Sequence, residues 1–373
     1  MHLTTIPGLY IHVPFCRGKC PYCDFASGTD LTLAPHWLRA IEREMGYYRD
    51  FAPRFDTLYL GGGTPSLLTA SHLAVLLEHL QEHFHFSRDT EITLEANPDD
   101  LTLSVLKSYC KLGISRLSLG VQSFHDHELA FLGRRHDAAQ AKKALGWARD
   151  AGFADVGVDL IYALPGQTME AWQRNLEMAL DFLPEHLSCY QLTLEEGTPL
   201  ARRQAAGEFQ PLPEEREREL FLFTSRFLED RGYLHYEISN FARGRENRSR
   251  HNGKYWNHTP YLGLGPAAHS YEDGRRWWNQ RSLAEYCLAL DAGQPPLAGR
   301  EVLTPEQLRL EALYLGMRTR DGVGLELLEQ ASGGKALLQE IVEAGLAEVK
   351  ADRLIPTRTG LVVADRLTIG FMA

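Results

Sequence analysis

No stretch of the chain approaches the roughly 18 to 20 consecutive apolar residues that a bilayer-spanning helix needs. The amino terminus also lacks the basic region, apolar stretch and small-residue cleavage site of a secretory signal. The sequence therefore reads as a soluble, unexported protein. Cysteine is scarce, six in 373 residues, which is too sparse for a disulfide scaffold. A surplus of basic residues is missing too: Asp and Glu outnumber Lys and Arg by 49 to 39, for a formal charge of -10. Such a chain repels a phosphate backbone, and nucleic acid is not an expected partner. There is no low-complexity tract and no fixed-period repeat.

What remains is ordinary globular composition, 44% hydrophobic and 24% charged, with length for one large domain and a small one. From residue 9 to about 195, β-rich stretches ("LYIHVPF", "TLYLGG", "EITLEAN", "RLSLGVQ", "VGVDLIYAL", "LSCYQLTLE") alternate with amphipathic segments such as "SHLAVLLEHLQEHF". Six such units predict an incomplete (β/α)6 barrel over residues 1–240. Residues 241–299, with a polar loop at 243–252, read as a connecting segment. Residues 300–373 read as a small winged-helix-like α+β domain of helices followed by a hairpin. Gly61, Glu95, Gln122, Asp159 and Gln191 recur at successive strand ends, which predicts one shared rim at the carboxyl ends of the strands, where barrel chemistry gathers.

Three of the cysteines crowd into the loop after the first strand. Cys16, Cys20 and Cys23 have the spacing C-x3-C-x2-C, so one loop can aim all three sulfurs at a compact inorganic centre. Three thiolates on a cubane leave one iron open to a further ligand. A structural zinc site with His12 as fourth ligand is the alternative, although His12 alternates with Ile11 and Val13 in a strand pattern and is expected to face the barrel interior. Cys110, Cys189 and Cys287 stand alone and are expected to be small buried hydrophobes.

The stretch "YLGGGTPSLL" places glycines directly after a strand, with Thr64 and Pro65 in the order of an N-cap and first helical turn. It lacks both the P-loop lysine and the dinucleotide fingerprint. It is either a close approach of backbone to a ligand or a plain tight turn. Glu95, Gln122 and Asp159 are polar groups at the ends of apolar strands, where a carboxylate or amide is costly unless paired. Arg134 or another base is one partner available to each; a bound zwitterion is another.

In that order, "YIHVPFCRGKCPYCDF", "GGGTPS", "LEANPD", "LSLGVQSF", "DLIYALPGQT" and "RHNGKYWNHTPYLGLGPAAHS" resemble the radical S-adenosylmethionine superfamily. More narrowly, the chain resembles the branch that holds oxygen-independent coproporphyrinogen III oxidases and the HemW-type heme chaperones. The resemblance implies a 4Fe-4S cluster on Cys16, Cys20 and Cys23, with S-adenosyl-L-methionine on its fourth iron and cleavable to a 5'-deoxyadenosyl radical. It also implies that Tyr10, Gly62, Gly63, Thr64, Glu95, Gln122, Arg134 and Asp159 line the S-adenosylmethionine site. The oxidases carry a further cysteine two positions past the third cluster cysteine, and here that position is Phe25.

This departure, together with the HNxxYW pattern of His251, Asn252, Tyr255 and Trp256, resembles the chaperone branch and implies heme binding, with an apo-hemoprotein as acceptor. His251 is the expected axial ligand, with His258 and His269 as further candidates in the same region. Arg248 and Arg250 are expected partners for the propionates. Radical decarboxylation of coproporphyrinogen and radical methylation are the enzyme alternatives. Both need an electron donor for the cluster. The resemblance leaves open a dimer and a peripheral membrane location for an otherwise cytoplasmic protein.

Overall fold

The computed structural model describes residues 5–329 and 334–371. Six strands, β1 (Gly8–Val13), β2 (Phe55–Gly62), β3 (Phe86–Ala96), β4 (Arg116–Gln122), β5 (Asp155–Tyr162) and β6 (His186–Gln191), lie parallel and in chain order. Helices Ala34–Gly46, Ala70–His83, Leu103–Lys111, Ala138–Ala151 and Met169–Leu180 cross between them, and Glu214–Glu229 follows β6. This is the expected incomplete barrel. The alternation within β1 shows how it forms: Leu9, Ile11 and Val13 are fully buried, while Tyr10 and His12 line the barrel interior. Thr69, Thr102, Asp137 and Thr168 each accept a backbone N–H at the start of the helix that follows, which ends each rim loop at a defined residue.

Residues 241–299 are not the expected connector. They supply strands to the same sheet, because both edges of an unclosed barrel expose unpaired backbone that further strands can satisfy. Beyond β6 lie β7 (Leu234–Glu237) and β8 (Asn240–Ala242). Beyond β1 lie β9 (Tyr261–Leu264), parallel to it, then β10 (His269–Glu272), β11 (Arg275–Asn279) and β12 (Leu297–Val302). Part of the polar stretch read as loop is helical as well: Arg245–Asn247 is a single short turn, and Arg250–Trp256 is a helix whose N-cap Ser249 accepts from Asn252 N–H.

Buried polar groups tie these additions down. Glu44, fully buried on the first helix, accepts from Gly265 N at 2.8 Å, Asn279 Nδ2 at 2.5 Å and Tyr286 Oη at 2.6 Å, so it holds the β9–β10 turn against β11. Burial outweighs these three donors and pushes its carboxyl up to about 7. Between the unfolded value of 4.5 and about 7 the folded state holds the extra proton, so Glu44 contributes stability below pH 4.5 that is lost as pH rises through 7. Glu44→Gln is expected to flatten the fall in unfolding free energy across that window by up to one proton's worth of slope. Urea titrations at several pH values read it, and an unchanged slope would refute it.

Asn175 does similar work behind the rim. It accepts from Phe124 N at 2.6 Å and donates to Glu128 Oε2 at 2.8 Å, and Gln167 Nε2 donates to Glu128 Oε1 at 2.9 Å. Asn175→Leu leaves that N–H and part of a buried carboxylate unsatisfied, for an expected loss of about 3 kcal/mol in the denaturant midpoint analysis.

The carboxyl-terminal unit is α+β and winged-helix-like, as expected. Helices Pro305–Gly316 and Gly334–Glu343 pack on a three-stranded sheet of Val323–Gly324, Arg353–Pro356 and Ala347–Lys350, around Leu313, Met317, Leu354 and Phe371. It docks on the open side of the barrel through Arg320 N to Tyr236 O at 2.9 Å, Ile238 N to Arg318 O at 3.0 Å, Arg358 Nε to Ser225 Oγ at 2.8 Å and Arg276 Nη2 to Glu311 Oε2 at 2.8 Å. No helix among the described residues is long and apolar enough to cross a membrane.

Candidate functional site

The inner face of the sheet and the docked unit enclose a cavity of about 1660 Å³. Cys16, Cys20 and Cys23 line it at the carboxyl ends of the strands, and all three are free thiols. The loop that carries them returns to its own root: Cys16 N donates to Gly28 O at 2.9 Å, Gly28 N to Pro14 O at 2.8 Å, and Cys23 N to Cys20 O at 3.1 Å. Burial, with the neighbouring Cys16 and Cys20, pushes the Cys23 thiol up, which places the three sulfurs in mutual electrostatic range.

Among the described residues no three His, Cys, Asp or Glu side chains converge as a single metal ion requires. A zinc ion needs all its donors about 2.0–2.3 Å from one atom, whereas a cubane takes its thiolates on separate irons. His12 is not a fourth ligand in this arrangement. As expected it faces the interior, with Nε2 on Ala26 O at 2.7 Å and Nδ1 on the Tyr10 hydroxyl at 3.1 Å.

The three glycines at the carboxyl end of β2, Gly61, Gly62 and Gly63, are occupied by protein as much as opened to a ligand. A Cβ on Gly62 (φ 107°) would lie 2.6 Å from the His12 ring, one on Gly63 2.6 Å from Phe15 O, and one on Gly61 3.1 Å from the Glu95 carboxyl. The turn is thereby pressed against the root of the cysteine loop, while Gly62 and Gly63 still line the cavity. Thr64 precedes the short helix Pro65–Leu67 without capping it. Its hydroxyl meets Cys16 Sγ at 3.5 Å and Asn97 Nδ2 at 3.3 Å instead.

The single rim predicted from strand ends is corrected by the register. Glu95 pairs with Ser118, and Asp159 with Gly120 and Ser188, so these carboxyls lie inside the barrel. Gln122 and Gln191 lie at the strand ends, and Gly61 does not line the cavity. Glu95 accepts from Tyr59 Oη at 2.8 Å and Gly62 N at 3.2 Å, and Asp159 accepts from Ser118 Oγ at 2.9 Å.

Neither carboxyl has an ion-pair partner among the described residues. Burial, and for Glu95 also the nearby Asp159, pushes Glu95 up to about 7, and burial pushes Asp159 upward. Arg134, one expected partner, is committed elsewhere: it donates to Asn97 Oδ1 at 2.5 Å, Gly120 O at 2.8 Å and Cys20 Sγ at 3.6 Å. Two desolvated carboxyls without a cation form a receptor for a positively charged ligand, since a cation arriving there recovers the cost of ionising them.

All eight residues assigned to an S-adenosylmethionine site (Tyr10, Gly62, Gly63, Thr64, Glu95, Gln122, Arg134 and Asp159) line this one cavity. Gln122 does so with φ 66°, at a register shift in the β4–β5 pairing. Sequence reasoning missed Tyr59, Asn97 and Ser118. Ser118 stands four positions before Gln122 on β4, so the two-residue period of a strand would have found it.

The HNxxYW residues divide. Asn252 and Tyr255 line the floor of the cavity; His251 and Trp256 do not. His251 is buried, with Nδ1 on Thr57 Oγ1 at 2.8 Å, Nε2 on Tyr255 Oη at 2.8 Å and its ring stacked on Tyr59 at 5.1 Å. Burial, with Lys254 adding to it, pulls it down to about 3. This corrects the expectation of a loop histidine free to take an axial position, because both ring nitrogens are engaged. Arg248 and Arg250 are corrected likewise. Arg248 pairs with Asp321 at 3.2 Å and Arg250 with Asp56 at 3.2 Å, at the opposite end of the barrel from the thiols. The lone Cys189 and Cys287 are buried as expected, while Cys110 is only half-buried.

The sequence profile of the Radical SAM superfamily matches residues 10–179, and that of the HemN C-terminal domain matches residues 303–363. The chain is 36% identical to a heme chaperone HemW of Mycobacterium tuberculosis over 96% of its own length and 93% of that protein. It is 33% identical to a heme chaperone HemW of Bacillus subtilis over 97% and 98%. A mitochondrial radical S-adenosyl methionine domain-containing protein 1 of Mus musculus is 34% identical over 92% and 73%. Among solved structures, coproporphyrinogen III oxidase (HemN) of Escherichia coli shares the fold, with a TM-score of 0.85, 24% identity and coverage of 98% and 90%.

Proposed function

The chain belongs to the HemW family of the radical S-adenosylmethionine superfamily, and from that premise we propose that it binds heme and hands it to apo-hemoproteins such as respiratory enzymes. In this reading Cys16, Cys20 and Cys23 hold a 4Fe-4S cluster. Tyr10, Gly62, Gly63, Thr64, Glu95, Gln122, Arg134 and Asp159 hold S-adenosylmethionine beside it, with Glu95 and Asp159 facing its positive charge. When bound, the cluster supplies one-electron chemistry at an open iron. Whenever that chemistry runs, an external donor has to provide the electron. Six free cysteines suit a reducing, cytoplasmic compartment.

The observation that carries the heme reading is the cavity itself. At about 1660 Å³ it exceeds the roughly 300–1,000 Å³ of a site for one drug-sized ligand, so room remains beyond S-adenosylmethionine for a tetrapyrrole. Phe25, at the position where the oxidases carry a further cysteine, turns an apolar ring into it and is 66% exposed. A large exposed aromatic on a cavity wall suits the face of a porphyrin.

The test is an anaerobic hemin titration of the cluster-loaded protein, followed at the Soret band. Saturation near one heme per chain is the expected result. Absence of saturable binding, together with protoporphyrinogen formed from coproporphyrinogen under reducing conditions, would replace this reading by the oxidase.

A further inference from the structure

A heme held in this cavity needs a fifth ligand, and a neutral imidazole with a free nitrogen and an open approach is the ordinary choice. Three histidines line the cavity: His12, His186 and His269. Both ring nitrogens of His12 are bonded. His186 is 3% exposed, with Nε2 on the Tyr236 hydroxyl at 2.8 Å. His269 alone is exposed, and neither of its nitrogens has a hydrogen-bond partner among the described residues.

We propose that His269 is the axial ligand of a heme bound in the outer part of the cavity. The inference rests on the heme-binding reading above and names the group that recognises the iron.

The fold presents this ring as a fixed donor. His269 opens β10, and its imidazole stacks on the Trp278 indole at 5.7 Å and 21°, which sets the ring plane. The backbone beneath is clamped. Ala267 N donates to Gln280 O at 2.9 Å and Asn279 N to Ala268 O at 3.0 Å, and Gly263 has no side chain because the His269 carbonyl occupies that space. Glu44 anchors the same turn through Gly265 and Asn279. Burial and Arg276 pull the imidazole downward from its ordinary range, which keeps a lone pair available at neutral pH.

The same cavity carries acceptors for the rest of the ligand. Phe25 offers an apolar face, and Arg218 and Arg366, neither of which has an ion-pair partner among the described residues, offer charge to the propionates. Coordination forms an iron–nitrogen bond from the His269 lone pair and displaces the water or anion that free hemin carries on its iron, with no change of oxidation state.

The experiment titrates hemin into cluster-loaded full-length protein, His269→Ala and His251→Ala, with thermal unfolding of each alongside. Because His269 makes no side-chain hydrogen bond, His269→Ala is expected to unfold at the parental temperature. It should bind hemin at least roughly ten-fold more weakly, with a shifted Soret band that added imidazole restores. A parental Soret band and affinity in His269→Ala would overturn the assignment while leaving heme binding intact. No saturable binding in the parent would instead overturn the heme reading, and the assignment with it.

Discussion

Cys20→Ala, reconstituted anaerobically with iron and sulfide, is expected to fall from about four irons per chain to a small residue and to lose its visible charge-transfer absorption. The expectation follows from the donor set. Cys16, Cys20 and Cys23 are free, line one cavity and lie in mutual electrostatic range, and no other cysteine lines it to substitute. The Arg134 guanidinium donates to Cys20 Sγ at 3.6 Å and so holds that sulfur at the cavity wall. Thr64→Ala is the control: its hydroxyl only meets Cys16 Sγ and Asn97, so iron content should stay close to the parent. Full iron in Cys20→Ala, or one zinc per chain in the parent, would sink the cluster assignment.

His251→Ala should cost about 3 kcal/mol of stability while leaving the iron's ligand field unchanged in whatever fraction binds heme. The ring is buried between Tyr10 and Tyr59, and its two nitrogens satisfy Thr57 and Tyr255. Truncation opens a cavity and orphans two buried hydroxyls, each a cost of about 1 kcal/mol or more. Helix Arg250–Trp256 would loosen from β2 and take Asn252 and Tyr255, on the cavity floor, with it. The drop would appear as a lower denaturant midpoint at constant m-value. His251→Gln, which keeps one hydrogen bond, should recover part of it. Parental stability in His251→Ala together with a changed Soret band would restore His251 as the iron ligand and contradict the role given to His269.

Most of the barrel was legible because its signals are local. Apolar stretches at regular spacing, glycines and threonines where strands turn into helices, and three cysteines in one loop each act within a few residues, and the two-residue alternation of β1 correctly sent His12 inward. Residues 241–299 were misread because β8 through β12 gain their stability from the open edges left by β6 and β1, which are distant in sequence. "RSRHNGKYW" likewise looks like polar loop until Asp56, Glu91 and Ile6 O appear beside it as partners for its arginine, backbone and lysine.

Residue types and their spacing were enough to establish a partial barrel, a three-thiolate loop on its carboxyl-terminal rim and the carboxyls Glu95 and Asp159, because backbone periodicity and ligand spacing are properties of short segments. Which polar groups remain available for a ligand was decided by packing. His251 and His269 are chemically identical and stand 18 positions apart in the chain. One is placed under the barrel, where two hydroxyls consume its nitrogens, and the other at the cavity wall, where nothing does. Donor availability is a matter of what else is within about 3 Å, and that neighbourhood is set by strands and helices remote in sequence.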